Sequence, residues 1–126
     1  KVLPPNSKPH GKSYGEWGDA WWQWAFALPR DNNPLVDPTG GLVAVGQSGS
    51  VWFLGGVFWL FTDPPGLSLA ERTVTIPAGK ALFFPIGNSL WINLPELGDQ
   101  PWSPEQEVFA RSVVADTMNT ATGLAC

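Results

Sequence analysis

Apolar positions along the chain follow two different periods, and these divide it into elements. Tyr14, Trp17, Trp21, Trp24, Ala25 and Leu28 recur at three- and four-residue spacing, which at about 100° per residue gathers them on one helical face. Ser13-Tyr14-Gly15-Glu16 has the S-x-x-E form in which a serine and a glutamate cap each other's backbone N–H groups. Pro29 disfavours any continuation, so a helix is predicted over residues 13–28. Trp22 and Phe26 fall on the opposite side, beside Asp19 and Gln23, where a helix packed on one core is normally polar. Something is expected to cover those two rings: a loop, the N-terminal arm, a partner chain or a flat ligand. Residues 1–12, with Pro4, Pro5, Pro9 and Gly11, read as an extended arm.

Beyond residue 41 the apolar runs shorten to strand length. Leu42-Val43-Ala44-Val45, Val51-Trp52-Phe53-Leu54, Val57-Phe58-Trp59-Leu60, Thr73-Val74-Thr75-Ile76 and Ala81-Leu82-Phe83-Phe84 are each bounded by turn formers. Pro77-Ala78-Gly79-Lys80 suits a tight reversal and predicts a hairpin from Thr73 to Ile86. Thr73 and Thr75 alternate with Val74 and Ile76, the pattern of one wet and one buried face. Val51 to Leu54 is apolar on both sides and predicts a central strand, with a bend or bulge at Gly55-Gly56. After an irregular stretch, Ser103-Pro104-Glu105-Gln106 combines an N-cap, a proline at the first helical position and a second capping box. Phe109, Ala110, Val113, Val114, Met118 and Ala121 then share a face, and Gly123 is expected to cap a helix over residues 104–122. The pattern predicts a mainly β fold with flanking helices: an antiparallel β-sandwich or jelly roll, formed by residues 13–126 as one domain.

Composition sharpens this picture. Apolar residues make up 44% of the 126 and charged residues 14%, against roughly 25% charged in ordinary domains, which argues against disorder. Eight Trp supply more flat apolar surface than a chain of this size readily hides. A net charge of -4 with scattered Lys and Arg offers no stripe for nucleic acid. The longest apolar run, Val51 to Phe61, is broken by two glycines and falls short of the roughly 20 residues of a membrane-spanning helix. The chain starts at Lys1 instead of Met, which leads to the expectation of a removed leader and a secreted setting. Cys126, the single cysteine, is either a free thiol or half of a bridge to another chain or to a downstream segment.

Little in the chain points to catalysis. There is no phosphate-binding loop and no cofactor motif, and His10 with one terminal cysteine cannot build a nucleophilic triad or a zinc site. Asp31, Asn32, Asn33 and Asp37 offer oxygen ligands for calcium, but Asx-Pro turns use the same residues, and turns are the preferred reading. Glu16 and Asp19, with Asp37, Asp63 and Glu71 near strand ends, leave a carboxylate hydrolase open, although capping and turns already require acids there. Trp22, Trp59, Trp91 and Trp102 are candidate platforms for a sugar ring or a partner protein.

The segments Trp21-Trp22-Gln23-Trp24-Ala25, Asn33-Pro34-Leu35-Val36-Asp37-Pro38-Thr39-Gly40, Gly46-Gln47-Ser48-Gly49 with Val51-Trp52-Phe53-Leu54, and Ile76 through Ile86 resemble those of a family of uncharacterised secreted bacterial proteins, over most of Trp17 to Ile86. The resemblance implies a setting and no mechanism. It implies a strand-to-strand disulfide at the positions of Val43 and Val74, so these two valines are expected to touch. It also implies further strands beyond Cys126, whose lack would leave an open sheet edge for another chain or a downstream segment to pair with. The expected function is a non-catalytic extracellular structural or interaction subunit, with a carbohydrate-binding module second and a hydrolase third. Its expected contact residues are Asp19, Trp22, Gln23, Phe26, Trp59, Trp91 and Trp102.

Overall fold

A computed structural model describes residues 2–57, 71–88, 90–93, 95 and 98–121. The chain divides into two compact units, Lys1–Pro85 and Ile86–Cys126.

The first unit is organised by helix α1, Tyr14–Ala27. Its start is the capping box: the Glu16 N–H donates to Ser13 Oγ at 3.3 Å, and the Ser13 N–H donates to the Glu16 carboxylate at 2.7 Å. Leu28 leaves the helix in extended geometry ahead of Pro29. The carbonyls freed there find a partner in Asn33, whose Nδ2 donates to Ala25 O at 2.8 Å while its Oδ1 accepts from the Leu35 N–H at 3.0 Å. This turn carries Leu35 under the helix, where it is 1% exposed and joins Trp21, Trp24 and Ala25 in the core. Removing such a leucine side chain costs about 2–5 kcal/mol.

Strands β1, Val51–Phe53, and β2, Ala81–Phe83, form a two-stranded parallel sheet in the register Val51↔Ala81, Trp52↔Leu82 and Phe53↔Phe83. It meets α1 through Phe53, whose ring lies 5.6 Å from Trp24 and 6.1 Å from Trp17. The indole N–H groups of Trp21 and Trp24 donate to Leu54 O and Val45 O, so the same rings that fill the core also tie down the loops.

The predicted antiparallel β-sandwich or jelly roll is overturned, because the described residues hold two α-helices and one small parallel sheet. The reasons are local. Residues 42–45 turn instead of extending: Leu42 N–H donates to Asp37 Oδ2 at 2.8 Å, Val43 N–H to Gly40 O and Val45 N–H to Leu42 O. Gln47 then occupies the edge of β1 where a further strand was expected. Its amide accepts from the Phe53 N–H at 2.9 Å and donates to Phe53 O at 2.8 Å, the pair of bonds a neighbouring strand would make. Residues 71–77 do alternate between exposed and half-buried positions. They are held by Arg72, however, whose guanidinium donates to the carbonyls of Pro34, Asp37 and Gly55. The reversal at Ala78-Gly79 is present, but the predicted hairpin is not: β2 pairs with β1. The strand predicted at Val57–Leu60 lies outside the described residues apart from Val57, which is irregular.

Gly55 is required by packing, since a Cβ there would stand 2.1 Å from Leu35 Cδ2 and 2.9 Å from Trp21 Cζ2. Val74 runs beside Gly40, with Cγ1 at 3.4 Å from the place of a Cβ on that glycine, in the turn that leads to Val43.

The second unit is built on α2, Pro104–Asn119, which Ser103 and Gln106 cap reciprocally. Glu107 and Arg111 add an exposed i,i+4 ion pair at 2.7 Å, worth about 0.3–0.5 kcal/mol. The helix closes on Thr120, whose N–H and hydroxyl both donate to Asp116 O; the expected cap Gly123 lies outside the described residues.

Candidate functional site

The residues expected to make contacts are dispersed. Trp22 is half-buried, packing against the Trp21 ring at 5.0 Å and stacking on Phe26 at 5.4 Å and 13°. The chain thus covers part of this surface itself, while Phe26 remains 55% exposed. Asp19 and Gln23 are exposed on α1. Trp91 lies in the second unit with its edge toward Phe109, the ring centroids 5.7 Å apart, and Trp102 is half-buried in the same unit. Trp59 and Cys126 lie outside the described residues.

Exposed apolar side chains occur in both units, Val2, Phe26, Ile86 and Leu90 among them. In the first unit Leu82 and Phe84 project from β2 and its continuation, 49% and 45% exposed. In the second unit α2 buries only Ala110, and Val108 and Phe109 are 68% and 60% exposed.

A cleft of about 530 Å³ opens between α1 and the Gly46–Val51 loop. Trp17, Gln23 and Trp24 line it from the helix, and Ser48, Ser50 and Phe53 from the opposite wall. The walls approach closely at Gly46, at φ +68°, where a Cβ would meet Leu28 Cδ2 at 2.9 Å and Trp24 Nε1 at 3.0 Å. Lys12 also lines it, its ammonium 4.9 Å from the centroid of Trp17. The N-terminal arm shapes the cleft too: Trp17 Nε1 donates to Pro9 O at 2.9 Å, and His10 Nδ1 lies 3.1 Å from Ser50 Oγ. The helical periodicity assigned Trp17 and Trp24 wholly to the core. Among the described residues only Gln23 of the expected contact residues reaches the cleft, because a cleft depends on the distant Gly46–Val51 loop and leaves no local signal.

Two of the candidate carboxylates, Asp37 and Glu16, are occupied in structural roles. Asp37 Oδ1 accepts from the Thr39 N–H and hydroxyl at 2.8 and 2.6 Å, and Oδ2 accepts from the Leu42 N–H, so the loop reading holds. The Thr39 hydroxyl, then the Leu42 and Thr39 amides, with Arg72 nearby, draw its pKa down to about 2. Glu16 is likewise lowered, by the Ser13 N–H first and its hydroxyl second, the opposite of what a general acid requires. Among the described residues no three His, Cys, Asp or Glu gather as a metal site, and no helix is long and apolar enough to cross a membrane. In comparisons with known proteins the chain matches no family model, no curated protein and no solved structure.

Proposed function

We propose that this chain is a non-catalytic interaction subunit, secreted or cell-surface, that binds another polypeptide through its uncovered apolar surface. The observation that carries the reading is α2, a 16-residue helix that buries one alanine and leaves Val108 and Phe109 in water. A helix of this length draws most of its stability from packing an apolar face, so one this bare calls for a cover. Leu82, Phe84 and Phe26 extend the same argument to the first unit. The secreted setting is supported by the resemblance described above and by nothing in the geometry.

Solution mass of the native material, measured with and without reductant, tests the proposal. The expected result is a species heavier than one chain, reduced to the single-chain mass by Phe109→Asp with the helical circular dichroism retained. Native material running at the mass of one chain would overturn the reading. A mass that falls only with reductant would assign the association to the cysteine and not to α2, which also overturns it.

A further inference from the structure

We propose that the cleft between α1 and the Gly46–Val51 loop binds a small sugar acid, a hexuronate or the uronate end of a short oligosaccharide. The cleft, about 530 Å³, falls within the range of small-molecule sites. Its electrostatics are unlike those of the chain as a whole. In a protein of net charge -4, Lys12 is the only charged side chain among the described residues lining the cleft. Lys12 makes no ion pair among the described residues, and its ammonium lies 4.9 Å from the centroid of Trp17, another lining residue. A second cation, Lys80, reaches the same loop from outside by donating to Gly49 O. The cleft thus offers one carboxylate-binding group and no acid among its described lining residues, although the Lys12 charge also acts on Glu16 outside the lining.

The remaining lining selects among carboxylates. The Gln23 and Ser48 side chains are exposed and make no hydrogen bond among the described residues, and the Ser50 hydroxyl is engaged only by His10. These amide and hydroxyl groups match the alternating donors and acceptors of a pyranose. Trp17, half-buried, supplies an apolar surface for the ring C–H bonds. An aromatic carboxylate would answer Lys12 and leave the polar groups unmatched, whereas a neutral hexose would do the reverse. The walls are held in advance by Trp24 Nε1 donating to Val45 O and by Gln47 bridging Val43 and Phe53, which limits the ordering cost of binding.

The test is a titration with sodium glucuronate, glucose and sodium benzoate, followed by the indole N–H signals of the full chain. Glucuronate should shift the Trp17 and Trp24 resonances with saturation, and glucose and benzoate should bind at least about tenfold more weakly. Lys12→Gln should weaken glucuronate about tenfold and abolish the salt dependence of its binding. Gln23→Ala should weaken glucuronate and glucose alike. Both side chains are exposed, so unfolding midpoints should match the parent. No saturable shift with glucuronate, equal binding of benzoate, or Lys12→Gln binding as the parent does would each overturn the proposal. None of these outcomes bears on the mass measurement, so the two proposals fail separately.

Discussion

Gln47 makes the most exacting test of how this fold is held. Its side chain donates to Val43 O at 3.0 Å and Phe53 O at 2.8 Å and accepts from the Phe53 N–H at 2.9 Å, in a half-buried position. Gln47→Leu keeps the volume and removes all three bonds. At roughly 1 kcal/mol net for each bond, with some relief from water at a half-buried site, the loss should be about 2–3 kcal/mol. With a urea slope of about 1–2 kcal/mol/M, the unfolding midpoint should fall by roughly 1–3 M. Tryptophan fluorescence is a suitable signal, because Trp24 and Trp52 flank the bridged segment and both are buried. Gln47→Glu is the informative companion. It keeps an acceptor for the Phe53 N–H but turns a carboxylate toward two carbonyls, so at neutral pH it should be at least as unstable as the leucine variant. At acid pH the protonated carboxyl regains one donor, and its deficit relative to the parent should shrink. A leucine variant within about 0.5 kcal/mol of the parent would refute the idea that Gln47 stands in for a strand.

Three further outcomes follow from the same geometry. Gly55→Ala should cost about 1–3 kcal/mol in thermal unfolding, since its Cβ would overlap Leu35 and Trp21; an unchanged midpoint would show that the packing there is loose. Arg72→Lys should destabilise by about 2–4 kcal/mol in urea, because an ammonium cannot span the carbonyls of Pro34, Asp37 and Gly55 as the guanidinium does; parental stability would contradict this. Asp37 has a folded pKa of about 2 against an ordinary 3.8, so the stability it contributes is complete above the ordinary value and lost as pH falls toward the folded one. Acid unfolding curves of the parent and Asp37→Asn should therefore converge across that interval, and parallel curves would refute the linkage.

What the amino-acid pattern disclosed was local, and what it hid was long-range. Both capping boxes lie within four residues of sequence, and both are formed at Ser13 and Ser103. Gly55 could be singled out as a special position because no side chain fits there. The apolar runs misled because β-branched residues fit any half-buried extended or turning segment, and strand pairing is decided elsewhere. Residues 42–45 satisfy their backbone through Asp37 and successive turns and so need no ladder. Residues 71–77 are fixed by the side chain of Arg72 instead of by neighbouring strands. For the site, Gln23 was legible only as a polar neighbour of the misplaced Trp22 and Phe26, whereas Trp17 and Trp24 looked like plain core because both rings do pack on Phe53.

The same device that replaces ladders also shapes the cleft, which makes stability and binding separable. Gln47 is bonded at both ends of the loop that begins at Gly46 and returns along Phe53, so loosening it should let the Ser48 and Ser50 wall move away from Trp24. Lys12 lines the cleft with an exposed side chain that rests on Trp17, acts on Glu16 only through its charge, and makes no side-chain hydrogen bond among the described residues. Gln47→Leu should therefore lower both unfolding midpoint and glucuronate affinity, while Lys12→Gln should lower affinity alone. If Gln47→Leu lost stability yet bound glucuronate as the parent does, the ligand would be held by something other than this wall. If Lys12→Gln lost stability and affinity together, the ammonium would be a prop for Trp17 and not a receptor for the carboxylate.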